Sequence, residues 1–227
     1  MKEIFERMEC AVFDLDGTLV DSMPMWHKIA DNYIMRCGLV PEKNLWDKVK
    51  WLTETETARY FIEKYGIKKS VEEICREIKD IIFFEYENNI ALKEGAFEFL
   101  SLLKSRNIKI ALATATNGKC VLACIERLGI KDFFSVIHNC IDLDTSKYKP
   151  LIFEKCASDC GCEKERTFVF EDALHCIRTA KNAGFNVVAL YDKSNEELTE
   201  PPLSDWQRIK QITDNNFQNF NEILKVI

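Results

Sequence analysis

The chain opens on an apolar run, Cys10-Ala-Val-Phe13, that ends abruptly in Asp14-Leu-Asp16 and Gly17. Apolar positions without alternation mark a strand buried on both faces, the pattern of a central parallel strand. Gly17 permits a sharp turn away from the strand end. Residues 21–90 change character. They are rich in helix formers and aromatics, carry no strand pattern, and predict helices over 25–37, 43–51, 53–65 and 70–88. Thr53 with Glu56 and Ser70 with Glu73 have capping-box spacing, and Gly66 ends the third helix. From about residue 90, strand and helix alternate. Helices are expected over 95–106, 119–128, 149–160 and 173–183, and strands over 108–114, 134–138, 167–172 and 186–191. A last short strand over 209–212 precedes a helix near 217–226.

Alternation of this kind implies parallel pairing with right-handed crossovers. The expected fold class is therefore α/β: a doubly wound, Rossmann-like parallel sheet with an all-helical cap inserted after its first strand. The core comprises 1–20 and 90–227, and the cap 21–89. Ligands of such sheets bind beyond the carboxyl ends of the strands. The cap is expected to hinge near 20–23 and 88–93 and to close over that rim, excluding water.

Composition narrows the class. With 31 basic and 37 acidic residues the net charge is −6, a poor balance for binding nucleic acid or an anionic membrane surface. No apolar run reaches the roughly 20 residues of a spanning helix. The charged start, Met1-Lys-Glu-Ile-Phe-Glu-Arg-Met-Glu9, does not read as a signal peptide. A cytoplasmic location follows, with the 10 cysteines as reduced thiols. Cys156, Cys160 and Cys162 are dense but have no second ligand pair at metal-site spacing. A monomer is expected.

Three strand ends carry reactive groups: Asp14 and Asp16; Thr114, Ala115, Thr116 and Asn117; and Glu171 with Asp172. Lys149 stands just before Pro150 at a helix start. Carboxylates converging on one rim repel each other unless a cation intervenes. Oxygen donors select a hard divalent ion, with Mg²⁺ the default. Asp14 and Asp172 are the expected ligands, with Glu171 assisting and residue 16 contributing its backbone carbonyl. A carboxylate beside such an ion is also a potential nucleophile toward phosphorus. The transferring phosphoryl group would lean on Lys149, the Thr114 hydroxyl and the amides of residues 15–18 and 115–117. Asp16 is placed to protonate the leaving oxygen and then activate water.

In this order the motifs resemble those of the haloacid dehalogenase superfamily of phosphohydrolases. Asp14-Leu-Asp-Gly-Thr18 is similar to its first motif, Thr114 to the second, Lys149-Pro150 to the third and Glu171-Asp172 to the fourth. The resemblance spans nearly the whole chain and is greatest for the branch of β-phosphoglucomutase and small sugar-phosphate phosphatases. It implies a Mg²⁺-dependent enzyme with an aspartyl nucleophile at Asp14 and an acid/base at Asp16. Departures from the pattern are Tyr148, where Gly or Ser is common, and the bulky stretch Ala173-Leu-His175-Cys176. Lys147 is the alternative for the role of Lys149. The mutases of this branch carry a His where Trp26 stands, and a Gly-x-Ser-Arg loop where this chain has Trp51-Leu-Thr-Glu54. An acid in place of Arg would repel a second phosphate. The expected function is thus hydrolysis of a small phosphorylated metabolite, a sugar or polyol monophosphate, with a β-phosphoglucomutase-like isomerase as the alternative. A phospho-acceptor switch is disfavoured by Asp16 and by the insert. Trp26, Trp51, Thr53 and Glu54 are the cap residues expected to meet the leaving group.

Overall fold

A computed structural model describes residues 5–227; residues 1–4, which begin the charged N-terminal stretch and the expected core, lie outside the described residues. In chain order the elements are β1 (Cys10–Phe13), α1 (Met23–Arg36), α2 (Leu45–Val49), α3 (Glu54–Tyr65), α4 (Val71–Asn88), α5 (Ala96–Ser105), β2 (Lys109–Thr114) and α6 (Gly118–Arg127). There follow β3 (Val136–Asn139), α7 (Leu151–Asp159), β4 (Thr167–Glu171), α8 (Leu174–Asn182), β5 (Asn186–Leu190), α9 (Asp205–Ile212), β6 (Asn216–Phe217) and α10 (Phe220–Leu224). They make two compact units: the chain up to Asp21 with Ile90–Ile227, and Ser22–Asn89.

In the first unit, the described residues form one six-stranded sheet in the order β3-β2-β1-β4-β5-β6, parallel throughout. β1 lies between β2 and β4, so the winding direction reverses there, and the crevice of such a sheet opens at that reversal. The expected α/β doubly wound class is the observed one. Side chains alternate between two buried faces, as a covered parallel sheet requires. Cys10, Val12 and Val169 point to a cluster with Phe153, Ile177 and Ile209 of α7, α8 and α9. Phe13 and Phe170 point the other way and stack with centroids 4.4 Å apart, and Phe99 of α5 and Phe220 of α10 close over them. Burying each such ring stabilises the fold by about 1.5–3 kcal/mol.

The expected strand over 209–212 is instead the end of α9. Ser204 caps this helix, its hydroxyl accepting from the Gln207 amide while the Gln207 side chain accepts from the Ser204 amide. Trp206 and Ile209, three positions apart, are its buried face. The last strand falls later, at Asn216–Phe217.

The second unit is helical. Both anticipated capping boxes form, Thr53 with Glu56 and Ser70 with Glu73. Its core gathers Ile29, Tyr33, Leu45, Phe61, Ile74 and Ile81. Tyr33 stacks on Phe61 at 5.7 Å, and its hydroxyl donates to Glu77 at 2.8 Å.

Beyond β5, the buried Asp192 accepts from the Lys93 ammonium and from the Ser194 amide and hydroxyl, at 2.8 and 2.6 Å. Burial alone would raise its pKa, but these partners hold it below the ordinary carboxylate range. A depressed folded pKa stabilises above the unfolded value and ceases to do so as pH falls through the folded one. Lys93→Met should therefore destabilise the protein by about 1–3 kcal/mol at neutral pH. The gap should close as pH drops below about 3.9. Denaturant titrations across that range check it, and a gap that stays constant would refute the pairing.

Candidate active site

The register of β1 against β4 sets the site. Phe13 lies beside Phe170, and the Asp14 amide donates to the Phe170 carbonyl at 3.0 Å. One residue further along, Asp14 and Glu171 are neighbours across adjacent strands, about 4.8 Å apart in backbone terms. Asp172 follows directly. Asp14, Glu171 and Asp172 are all buried, and each offers a carboxylate oxygen within 4.8 Å of the others.

Among the described residues, one cation pairs with this cluster. The Lys147 ammonium donates to Asp14 Oδ1 and, at 2.6 Å, to Glu171 Oε1. The other Glu171 oxygen accepts from the Asp172 and Ala173 amides at 3.1 and 3.2 Å. Lys147, expected only as an alternative, thus occupies the place assigned to Lys149, whose side chain is exposed. The cause is local. The Lys149 amide donates to the Ser146 carbonyl at 3.0 Å, closing a turn that sends the two lysines to different sides. Tyr148, between them, stacks on His175 at 4.5 Å, so the two bulky departures from the family pattern pack on each other.

The turn after β1 is shaped around Asp172. Gly17 has φ +81°, and a Cβ there would lie 2.5 Å from Asp172 Oδ2. Only glycine gives the carboxylate that room. Thr18 donates to Asp172 Oδ1 at 2.9 Å, a role the sequence reading did not assign, although Thr18 sits four residues beyond Asp14. Asp16, two residues beyond Asp14, is half-buried, and its carboxylate accepts from the Thr116 hydroxyl at 2.6 Å instead of joining the three-carboxylate cluster. Thr114 is buried at the end of β2, and its hydroxyl accepts from the Thr116 amide at 3.0 Å. Ala115 lies in the same turn, and the Asn117 side chain caps α6 by accepting from the Lys119 amide.

Burial pushes the Asp14 carboxyl up to about 8, with Glu171 and Asp16 adding to the effect and Lys147 opposing it. Burial also holds Asp172 well above the carboxylate range, reinforced by Glu171 and Asp14. For Lys147, burial disfavours the ammonium, but Asp14 and Glu171 more than offset it and keep its pKa high. Three buried carboxylates face one ammonium. This all-oxygen donor set fits a hard divalent cation, which Asp14 and Asp172 could hold with Glu171 beside them, and whose charge would favour their ionised forms.

Of the residues expected in the helical unit, Trp26 is half-buried and donates its indole N–H to the Tyr86 hydroxyl at 3.1 Å. Thr53 serves as a helix cap, and Glu54 pairs with Lys79 at 2.8 Å. Trp51 is 73% exposed.

A profile of the haloacid dehalogenase-like hydrolase family matches residues 11–190. The chain belongs to this family. A phosphorylated carbohydrates phosphatase of Thermotoga maritima is 27% identical over 181 residues, covering 78% of this chain and 82% of that one. The (DL)-glycerol-3-phosphatase 2 of Arabidopsis thaliana is 27% identical over 191 residues, covering 80% and 78%. Among solved structures, a Thermotoga maritima protein proposed to be a β-phosphoglucomutase superposes with TM-score 0.82 at 22% identity, covering 97% of this chain and 100% of that one. That likeness is one of fold.

The Gly17 geometry gives a direct check. Gly17→Ala combines a positive φ with a forced displacement of Asp172. It should lower stability by about 1–3 kcal/mol in a denaturant titration. An alanine variant as stable as the parent would contradict the close approach.

Proposed function

We propose that the protein is a Mg²⁺-dependent phosphatase that hydrolyses a small phosphorylated metabolite through an aspartyl-phosphate on Asp14. That it is a phosphoric monoester hydrolase follows from its family and from its phosphatase relatives. The observation that carries the mechanism is the ion cluster of Lys147 with Asp14 and Glu171, beside Asp172, at the switch point of the sheet.

Asp14 would attack phosphorus, forming the Asp14 O–P bond as the ester P–O bond breaks. The departing oxygen would take its proton from Asp16. Water would then attack the aspartyl-phosphate, yield its proton to Asp16, and release inorganic phosphate with the Asp14 carboxylate restored. Asp16 suits both tasks because Thr116 holds it apart from the buried cluster. Lys147 and the amides and hydroxyls around Thr114 and Thr116 would meet the charge spread over the phosphoryl oxygens. When bound, the cation would supply the positive charge that keeps Asp14 ionised in its buried setting.

Sugar and polyol monophosphates are the first substrates to try, since the relatives named above act on phosphorylated carbohydrates and glycerol 3-phosphate. A mutase would need a second phosphate grip in the helical unit. There Lys50 pairs with Asp47 at 3.1 Å and Lys79 with Glu54, which favours hydrolysis. The ten free thiols suit a reducing cytoplasm, and we place the enzyme there as a monomer.

Release of inorganic phosphate from a panel of such esters tests the reading. Asp14→Asn should lower kcat by at least about 10³, and a chelator should abolish turnover until Mg²⁺ is restored. Substantial turnover by Asp14→Asn would end the proposed mechanism. The two lysines separate cleanly in the same assay. Lys147→Met should cost about 10²–10³ in kcat, whereas Lys149→Met should stay within about threefold of the parent. The reverse ranking would assign the phosphoryl contact to Lys149.

A further inference from the structure

Lys147 reaches the acidic cluster from a loop. Asp14 and Glu171 are fixed by strands, but residues 140–150, between β3 and α7, are turns and loop. The backbone bonds flanking Lys147 are local: the Thr145 amide donates to the Cys140 carbonyl and the Lys149 amide to the Ser146 carbonyl, both at 3.0 Å. Neither of these reaches β4 or α8, where Glu171 and Asp172 are anchored. Lysine is also a flexible side chain, and ordering it in one geometry is costly. The ammonium is nonetheless buried on Asp14 and Glu171.

A ring contact joins the loop to the acids. The Tyr148 ring lies nearly parallel to that of His175, with centroids 4.5 Å apart and 24° between the planes. Tyr148 is the next residue after Lys147. His175 is the second residue of α8 and stands three positions after Asp172. The helix end of this contact is firm, since Leu174, Cys176 and Ile177 of α8 are buried. The loop end is not: Tyr148 is 68% exposed. Its ring therefore adds little to the core, and what the stack fixes is the loop. Lys147 faces inward and Tyr148 outward, so pinning the outer ring restrains the inner ammonium.

We infer that Tyr148 and His175 are positioning residues for Lys147: their stack ties the loop to the start of α8 and keeps the ammonium in register with Asp14, Glu171 and the phosphoryl group. Both act through the lysine, so the inference rests on Lys147 as the phosphoryl contact proposed above.

A double-mutant cycle on kcat tests the role. Tyr148→Ala and His175→Ala should each lower kcat about three- to tenfold, while Tyr148→Phe, which keeps the stack, should restore the parent rate. In a Lys147→Met background the same alanine changes should have no further effect, because the group they position is gone. No loss in Tyr148→Ala, or losses that multiply on top of Lys147→Met, would overturn the role. A second readout does not depend on turnover. Acetylation of the folded protein by limiting N-hydroxysuccinimidyl acetate, mapped by mass spectrometry, compares Lys147 with the exposed Lys149 two residues away. Tyr148→Ala should raise the ratio of Lys147 to Lys149 modification about three- to tenfold, and Tyr148→Phe should leave it unchanged. A ratio that Tyr148→Ala does not move would overturn the hold on Lys147. Lys147→Met turning over at the parent rate would instead remove the phosphoryl contact, a failure that the acetylation ratio tells apart from failure of the stack.

Discussion

The Lys147 ammonium is the constraint around which the first unit is arranged. It is buried, and it bridges carboxylates from two adjacent strands. Ions so placed are expensive to desolvate, and apolar residues of the same volume often stabilise a fold as well or better. Asp172 adds a third buried acid beside them. A fold selected for stability alone has no use for such a group, and violations of this kind concentrate where chemistry is done. The surrounding detail follows from it: the β1–β4 register that sets Asp14 beside Glu171, the glycine that gives Asp172 room, and the Thr18 hydroxyl that fixes its orientation.

Asp14 and Asp16 show how one strand end yields two kinds of carboxyl. In an extended chain, residues two apart point to the same side. Here the chain curls after β1, with the Leu19 and Val20 amides both donating to the Leu15 carbonyl at 2.9 Å. That curl separates the pair. Asp14 stays in the buried cluster, where its pKa rises, while Asp16 turns to Thr116. Distinct surroundings for two nearby acids are what a division between nucleophile and proton carrier requires.

Much of this was legible in the chain. Unalternating apolar runs ending in acid located β1 and β4, and strand–helix alternation gave the parallel sheet. What escaped depended on turns and packing. Lys147 and Lys149 are alike in composition, and only the Ser146–Lys149 turn decides which of them is buried. Residues 209–212 look like a strand if Ile209 and Ile212 are read alone. The cap signal of Ser204 with Gln207 and the buried Trp206 identify a helix, and that signal was available in the sequence. Tyr148 and His175 each look anomalous singly, and only the fold shows them stacked. By sequence Thr53 suits both a cap and a substrate contact; its hydroxyl is engaged in the capping box.

The helical unit solves a different problem from the sheet. Its charged side chains neutralise one another along helix surfaces, as in Lys69 with Glu77 and Lys79 with Glu54. Such exposed pairs contribute little stability, typically below about 1 kcal/mol. They do, however, leave the interior to aromatic and aliphatic groups.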